Sequence, residues 1–286
     1  MGDSNTVAVL GAGIMANAVA NALHAHGFEL RRYNRTTAAI DGPAIVCASP
    51  AQAAEGAAAV WAFVHDDTAS RAVWFGQDGA LETADGAIVI ESSTLSPQYA
   101  DRWMRDATDS GARAVLAPVT GSRPGAANRT LVAFVTGTTA DLAVADSLLR
   151  VVARDVIRVK SAAATAAVKL LNNALAATIL TALAETLTAA RTLGLNRHQL
   201  IDIWAQHGWA APVTTAYGEA MLSGEHPLTN CALAVLAKDV HYTLAALSGQ
   251  VPPVLAAVAD RFDAATAAGL GSQEMSAIIK AAGCPL

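Results

Sequence analysis

Val7-Ala8-Val9-Leu10-Gly11-Ala12-Gly13-Ile14-Met15-Ala16 is the stretch on which the fold turns. A short apolar run predicts a strand, a GxGxxA pattern follows it directly, and a helix from about Ile14 to His26 continues the chain. Gly11 permits a tight turn. Gly13 lets a pyrophosphate approach the backbone, and Ala16 allows close helix–strand packing. The start of a helix presents unpaired N–H groups and the positive end of its dipole, both suited to phosphate. Gly11, Gly13, Ile14 and Met15 are therefore candidate cofactor-binding residues.

Outward from this unit, Phe28–Tyr33, Ala44–Ala48, Ala59–Val64 and Ala87–Glu91 read as further strands, with turns at Asp78-Gly79 and Asp85-Gly86. Arg113–Val119, Leu131–Val135 and Val156–Val159 read as later strands of the same layer. Strands alternating with helices predict a parallel sheet covered on both faces. The end of the second strand selects the dinucleotide. An NAD site usually places Asp or Glu there for the ribose hydroxyls, whereas this chain has Tyr33-Asn34-Arg35-Thr36. Arg35 can pair with a 2′-phosphate through two donors, and Asn34 and Thr36 can add hydrogen bonds. NADP(H) is the expected cofactor.

After about Lys160 the strand signals stop. Residues 162–193 read as one long helix ended by Gly194, with helical patterns at Arg197–His207, Val213–Leu222, Leu228–Ser248, Val254–Ala268 and Gln273–Ala281. The expected fold class is α/β: a Rossmann-type doubly wound domain over 1–160, then an all-helical substrate and oligomerisation domain over 161–286 that opens with the long interdomain helix. Between Ser161 and Ala184, Lys169 is the sole charged residue, and Asn173 lies four positions on, on the same helix face. Such a lysine must reach water, an anion or a hydrogen-bond partner. By themselves these residues fit a snorkelling lysine beside core amides as well as a catalytic pair.

Composition narrows the class. Hydrophobic residues make up 53% of the 286 and charged ones 15%, so the chain can bury a core. A net charge of −5 argues against nucleic acid or anionic lipid as partners. Arg31, Arg32 and Arg35 are the only tight basic group. Cys47, Cys231 and Cys284 have neither zinc nor disulfide spacing, so no metal is expected. No signal peptide opens the chain, which points to the cytoplasm; Gly2 fits the loose myristoylation pattern but reads as part of a free tail. The apolar stretch 162–184 is long enough to span a bilayer, yet Lys169 near its centre would be costly in lipid, so a buried helix is expected.

Five segments together resemble the β-hydroxyacid dehydrogenases, a family that includes 3-hydroxyisobutyrate dehydrogenases and glyoxylate or succinic semialdehyde reductases. They are Gly11–Ala16, Glu91-Ser92-Ser93-Thr94, Ala117-Pro118-Val119-Thr120-Gly121-Ser122, Lys169-Leu170-Leu171-Asn172-Asn173 and Leu236-Ala237-Lys238-Asp239-Val240. The resemblance implies that Lys169 exchanges a proton with the substrate oxygen and that Asn173 helps bind substrate. It implies that Thr120, Gly121 and Ser122 hold the substrate carboxylate, and that Val64, His65, Thr94 and Lys238 approach the cofactor. A small-molecule substrate and a homodimer or higher homo-oligomer are implied as well. Trp204, Trp209 and Tyr217 could line the substrate pocket or that interface, although Trp204 reads better as core.

The chain departs from the family pattern at Leu116, Ser122, Arg129, Ala163, Thr165 and Ala16, which puts substrate identity in doubt more than chemistry. Two alternatives use the same scaffold. An imine reductase would usually carry Asp or Tyr where this chain has Lys169, and a non-catalytic NADPH-binding regulator would have no need of the Lys169–Asn173 pair.

Overall fold

The computed structural model describes residues 5–207, 210–247, 249 and 251–282. Gly2, Trp209 and Cys284 lie outside the described residues. The chain divides into two compact units, Met1–Lys169 and Leu170–Leu286.

In the first unit, six strands form one sheet: β1 (Thr6–Leu10), β2 (Glu29–Tyr33), β3 (Ile45–Val46), β4 (Ala59–Ala62), β5 (Ile88–Glu91) and β6 (Arg113–Leu116). All neighbours run parallel, in the order β3-β2-β1-β4-β5-β6. This is the doubly wound order in which the succession of strands reverses between β1 and β4, where such sheets bind ligands beyond the carboxyl ends of their strands. Val7 and Val9 of β1 enter one core with α1 (Ile14–Ala25) and α6 (Thr139–Val152). Ala8 and Leu10 enter the other, with α2 (Pro50–Ala54), α3 (Asp67–Phe75) and α4 (Pro97–Asp109). Side chains that alternate between two buried faces explain why these strands read as continuous apolar runs.

Three strand expectations need correction, one being that Leu131–Val135 and Val156–Val159 continue the same layer, whereas they lie in a second sheet. The third strand is only Ile45–Val46, a short exposed edge. The expected strand 113–119 splits at Pro118, which has no N–H with which to continue the ladder. Val119–Thr120 (β7) turns instead into a separate three-stranded sheet with β8 (Leu131–Val135) and β9 (Ala153–Arg158). β7 pairs antiparallel with β8, and β8 runs parallel with β9. The short helix α5 (Arg123–Ala127) connects β7 to β8.

The long helix α7 spans Ala162–Thr192, one residue short of the expected end. The boundary between units falls inside it, because Ala162 and Ala166 belong to the first unit's core and Ala177, Leu180, Leu183, Ala184 and Leu187 to the second's. By length and hydropathy α7 could cross a membrane, and 39% of its most apolar window is buried within the protein. The expectation of a buried helix holds for one stripe only: Leu171 and Leu175 stand 56% and 61% exposed.

The second unit continues with α8 (Arg197–Gln206), α9 (Ala211–Ser223), α10 (Leu233–Ala246) and α11 (Pro253–Ala265). Trp204 and Tyr217 are partly buried against its core. α10 begins five positions later than its sequence pattern suggests, and the buried Glu274 carboxylate accepts from the backbone N–H groups of Thr229, Asn230 and Cys231 ahead of it. The segment before α10 pairs instead with residues 273–275: Ala232 bridges Glu274, the Leu233 N–H donates to the Gln273 carbonyl and the Met275 N–H to the Cys231 carbonyl. The last predicted helix is a tighter 3₁₀ stretch, Met275–Lys280.

Candidate active site

In the first unit, four predicted segments follow the carboxyl ends of adjacent parallel strands. Asn34–Thr36 follows β2, Gly11–Met15 follows β1, Val64–His65 follows β4 and Thr94 follows β5. The register aligns Leu10 with Tyr33 and with Ala62, and Ala62 with Glu91. The strands therefore end level, and the four segments form a row along one sheet edge. Thr120, Gly121 and Ser122 come next in that order, after β6.

The two glycines of the turn are glycine for different reasons. Gly11 has φ +112°, and a Cβ there would stand 2.1 Å from the carbonyl oxygen of Phe63. The protein's own backbone requires it. Gly13 has φ −71° and ψ 177°, which any residue adopts, and a Cβ there would meet nothing within 4 Å. Nothing inside the described protein explains that glycine, whereas an external group passing close to the backbone would.

The helix ends point the same way. Ser49, Asp66, Ser96, Ser122 and Thr138 each accept a backbone N–H at the start of α2 to α6. Gly13, at the start of α1, supplies no side-chain cap. The first N–H groups of α1 and its positive dipole end are thus left to an anion. Bare glycine and uncapped helix together fit a dinucleotide pyrophosphate.

Around this turn, Ile14 and Met15 are partly buried. Arg35 and Thr36 are exposed, and the Asn34 Nδ2 donates to the Thr36 carbonyl at 2.8 Å. His65 is exposed and Thr94 partly buried. The Val64 N–H donates to Ser93 Oγ at 2.8 Å, and the Ser93 N–H donates to Glu91 Oε1 at 2.7 Å. Glu91 is fully buried, and Ser70 Oγ and Trp74 Nε1 donate to its other oxygen. Burial pushes its carboxyl up from the ordinary range, against the opposing pull of those donors. Glu91 and Ser93 were legible as a motif but carried no role; their contacts tie the loop after β4 to the loop after β5.

Gly121 has φ +130° and packs on Leu131, where a Cβ would lie 2.6 Å from Cδ2. The Ser122 hydroxyl accepts from the Gly125 N–H as the cap of α5. That bond uses the serine oxygen as acceptor and leaves its O–H proton available as a donor.

Lys169 is partly buried on α7. In the second unit, Asn173 and Lys238 converge on one residue that sequence reasoning quoted but did not select. Asp239, 1% exposed, accepts from Asn173 Nδ2 at 2.5 Å and from Lys238 Nζ at 2.7 Å. Lys238 Nζ also lies 4.7 Å from the centre of the Tyr242 ring. The Lys-Asp pair in an otherwise apolar helical pattern was the available signal, since a buried carboxylate needs partners. Among the described residues no cluster of His, Cys, Asp or Glu could hold a metal.

Comparison with known proteins supplies the family. Residues 6–162 match the family model described as the NAD binding domain of 6-phosphogluconate dehydrogenase. Residues 163–282 match that of the NAD-binding region of NADP-dependent 3-hydroxyisobutyrate dehydrogenase. The chain is 30% identical over 285 residues to the uncharacterized oxidoreductase YfjR of Bacillus subtilis, covering 96% of this chain and 98% of that one. It is 28% identical to glyoxylate/succinic semialdehyde reductase 1 of Arabidopsis thaliana, covering 96% and 97%. A solved 3-hydroxyisobutyrate dehydrogenase of Mycobacterium tuberculosis with L-serine superposes with a TM-score of 0.83 at 25% identity, covering 98% of this chain and 100% of that one. With two contiguous matches that together span nearly its whole length, the chain belongs to the β-hydroxyacid dehydrogenase family, oxidoreductases built on NAD(P)-binding domains.

Proposed function

We propose that the chain is an NADP(H)-dependent oxidoreductase that transfers a hydride between the nicotinamide and a small carbonyl or hydroxy acid, as a β-hydroxyacid dehydrogenase or semialdehyde reductase does. The observation that carries the chemistry is Lys169, the lone charge between Ser161 and Ala184, set one helical turn before Asn173 in a member of this family. Residues 1–160 hold the cofactor, and residues 161–286 serve substrate binding and oligomerisation.

The cofactor, when bound, supplies or accepts the hydride. Lys169 Nζ stabilises the charge that grows on the substrate oxygen and donates its proton there, or accepts it in reverse. Thr120, Gly121 and Ser122 hold the substrate carboxylate. Asn173, oriented by Asp239, fixes the substrate. Gly11, Gly13, Ile14 and Met15 cradle the pyrophosphate. Val64, His65, Thr94 and Lys238 line the cofactor.

The preference for NADP(H) rests on Arg35, Asn34 and Thr36, with no carboxylate at the end of β2. Arg35→Ala is expected to lower the preference for NADPH over NADH by about tenfold, the loss of roughly one charge-assisted hydrogen bond. An unchanged ratio would refute this assignment. A homodimer is supported by the exposed Leu171 and Leu175 on α7, and a monomer in sedimentation velocity would count against it. The compartment is taken to be the cytoplasm.

The chemistry is tested by following NADPH consumption with small aldehyde acids and with cyclic imines, for wild type and Lys169→Ala. Turnover of aldehyde acids that falls by about 10²–10⁴-fold in the variant supports the reading. Turnover of imines alone, or cofactor binding without turnover of either class, would overturn it.

A further inference from the structure

Arg32 occupies an interior position of β2, between Arg31 and Tyr33, and is 0% exposed. A parallel strand covered on both faces normally carries apolar residues there, and a buried charge is retained only where partners satisfy it. Among the described residues no carboxylate oxygen is hydrogen-bonded to this guanidinium, although the charge of Asp41 favours it. Its Nη2 donates to the carbonyl of Gly11 at 2.8 Å, and its Nη1 to the carbonyl of Asp41 at 3.1 Å. Nε has no hydrogen-bond partner among the described residues. Burial draws the group down to about 10, so it still carries its charge at neutral pH.

The two carbonyls belong to different loops. Gly11 starts the pyrophosphate turn after β1, and Asp41 lies in the segment that follows Asn34–Thr36. Asn17 of α1 joins the same two loops. Its Nδ2 donates to the carbonyls of Ala12 at 3.1 Å and Ala39 at 3.0 Å, and its Oδ1 accepts from the Asp41 N–H at 3.3 Å. Each of these two side chains therefore bonds both loops. Gly42 closes the arrangement with φ +92°, and a Cβ there would stand 2.0 Å from Asn21 Oδ1 on the same helix.

We infer that Arg32, with Asn17, is a positioning residue that locks the pyrophosphate turn to the adenosine-side loop, so that the ADP-ribose half of the dinucleotide meets a preformed surface. The inference rests on dinucleotide binding by this unit and is independent of the substrate reduced. The buried guanidinium pins the Gly11 carbonyl into the interior and sets the spacing between the turn and residues 34–36. Without it the loops must be ordered by the nucleotide itself, and that ordering cost appears as lost affinity.

The test measures NADPH, NADH and ADP-ribose affinity by calorimetry for wild type, Arg32→Met, Arg32→Lys and Asn17→Ala. Each variant is first checked for folding by circular dichroism and thermal melting. Arg32→Met is expected to raise the Kd of ADP-ribose and of the preferred dinucleotide by the same factor, about tenfold or more, which corresponds to about 1.4 kcal/mol or more. KM for substrate at saturating cofactor should move less than about twofold, the signature of a change confined to cofactor binding. Arg32→Lys should recover part of the affinity, because it keeps the charge and one donor contact. A folded Arg32→Met protein that binds ADP-ribose as tightly as wild type, whatever its melting temperature, would overturn the inference. If Arg32→Met does not fold, an unchanged Kd in Asn17→Ala does the same. Wild type that binds neither nucleotide would overturn both this inference and the cofactor reading.

Discussion

Alanine at Gly11 and alanine at Gly13 should fail in opposite ways, although only one residue separates them. At Gly11 the new Cβ would stand 2.1 Å from the Phe63 carbonyl oxygen, backbone that cannot swing aside, on a residue with φ +112°. Overpacking of this kind costs about 1–3 kcal/mol, and a positive φ adds about 1–2 kcal/mol for a residue with a side chain. Gly11→Ala should therefore destabilise the first unit by about 2–5 kcal/mol, a fall in its melting temperature of several degrees or more. At Gly13 the backbone is extended and the Cβ meets nothing. Gly13→Ala should change stability by less than about 1 kcal/mol, because the stiffer unfolded chain gains about 0.4–1 kcal/mol and the poorer N-cap offsets it. The methyl would then occupy the path of the pyrophosphate, and dinucleotide affinity should drop by tenfold or more, about 1.4 kcal/mol. Calorimetric melting without ligand and nucleotide titration of the same samples read both quantities. Gly13→Ala that melts normally and binds nucleotide like wild type would refute the reasoning, since the glycine would then serve neither the fold nor a ligand.

Other outcomes follow from the buried carboxylates. Asp239→Ala removes the acceptor shared by Lys238 and Asn173 and should cost about 3–5 kcal/mol in urea unfolding, as expected when one partner of a buried pair is lost. A loss below about 1 kcal/mol would mean that the cluster does not hold the second unit. In a double-mutant cycle, Asp239→Asn and Asn173→Ala should be non-additive by about 0.5 kcal/mol or more, because they share one bond; simple additivity would contradict the 2.5 Å contact. Glu91 has its folded pKa above its unfolded value, because burial outweighs its donors. Its contribution to stability is therefore complete below the ordinary glutamate range and is lost as pH rises through that range toward the folded value. Unfolding free energies compared between about pH 4 and about pH 8 should show wild type losing stability relative to Glu91→Gln as pH rises; a constant difference would refute the assignment.

Local sequence settled the elements that depend on neighbours in the chain. β1, the glycine turn and α1 are contiguous, so apolar periodicity and the GxGxxA spacing specified them together. The lone charge at Lys169 and the four-residue step to Asn173 are helical arithmetic, independent of what surrounds the helix. The change from strand-bearing to strand-free sequence near residue 160 was equally plain, although packing moved the division between compact units into α7.

What needed the tertiary structure was each outcome set by residues distant in sequence. The sequence pattern ran one strand through Pro118 to Val119, and only the pairing of Val119–Thr120 with β8 sent the end of that segment into a second sheet. The segment before α10 is held outside the helix by pairing with residues 273–275, more than forty positions on, where Ala232 bridges Glu274. Asp239 became a hub only when Asn173 and Lys238 were brought to it, and Arg32 changed from one of three clustered basic residues to a buried clamp only when Gly11 and Asp41 closed over it. Periodicity and turn chemistry act over a few residues and are written in order along the chain. The partner of a buried polar group is chosen by where the folded backbone leaves an unpaired donor or acceptor, and that position does not exist until the elements have packed.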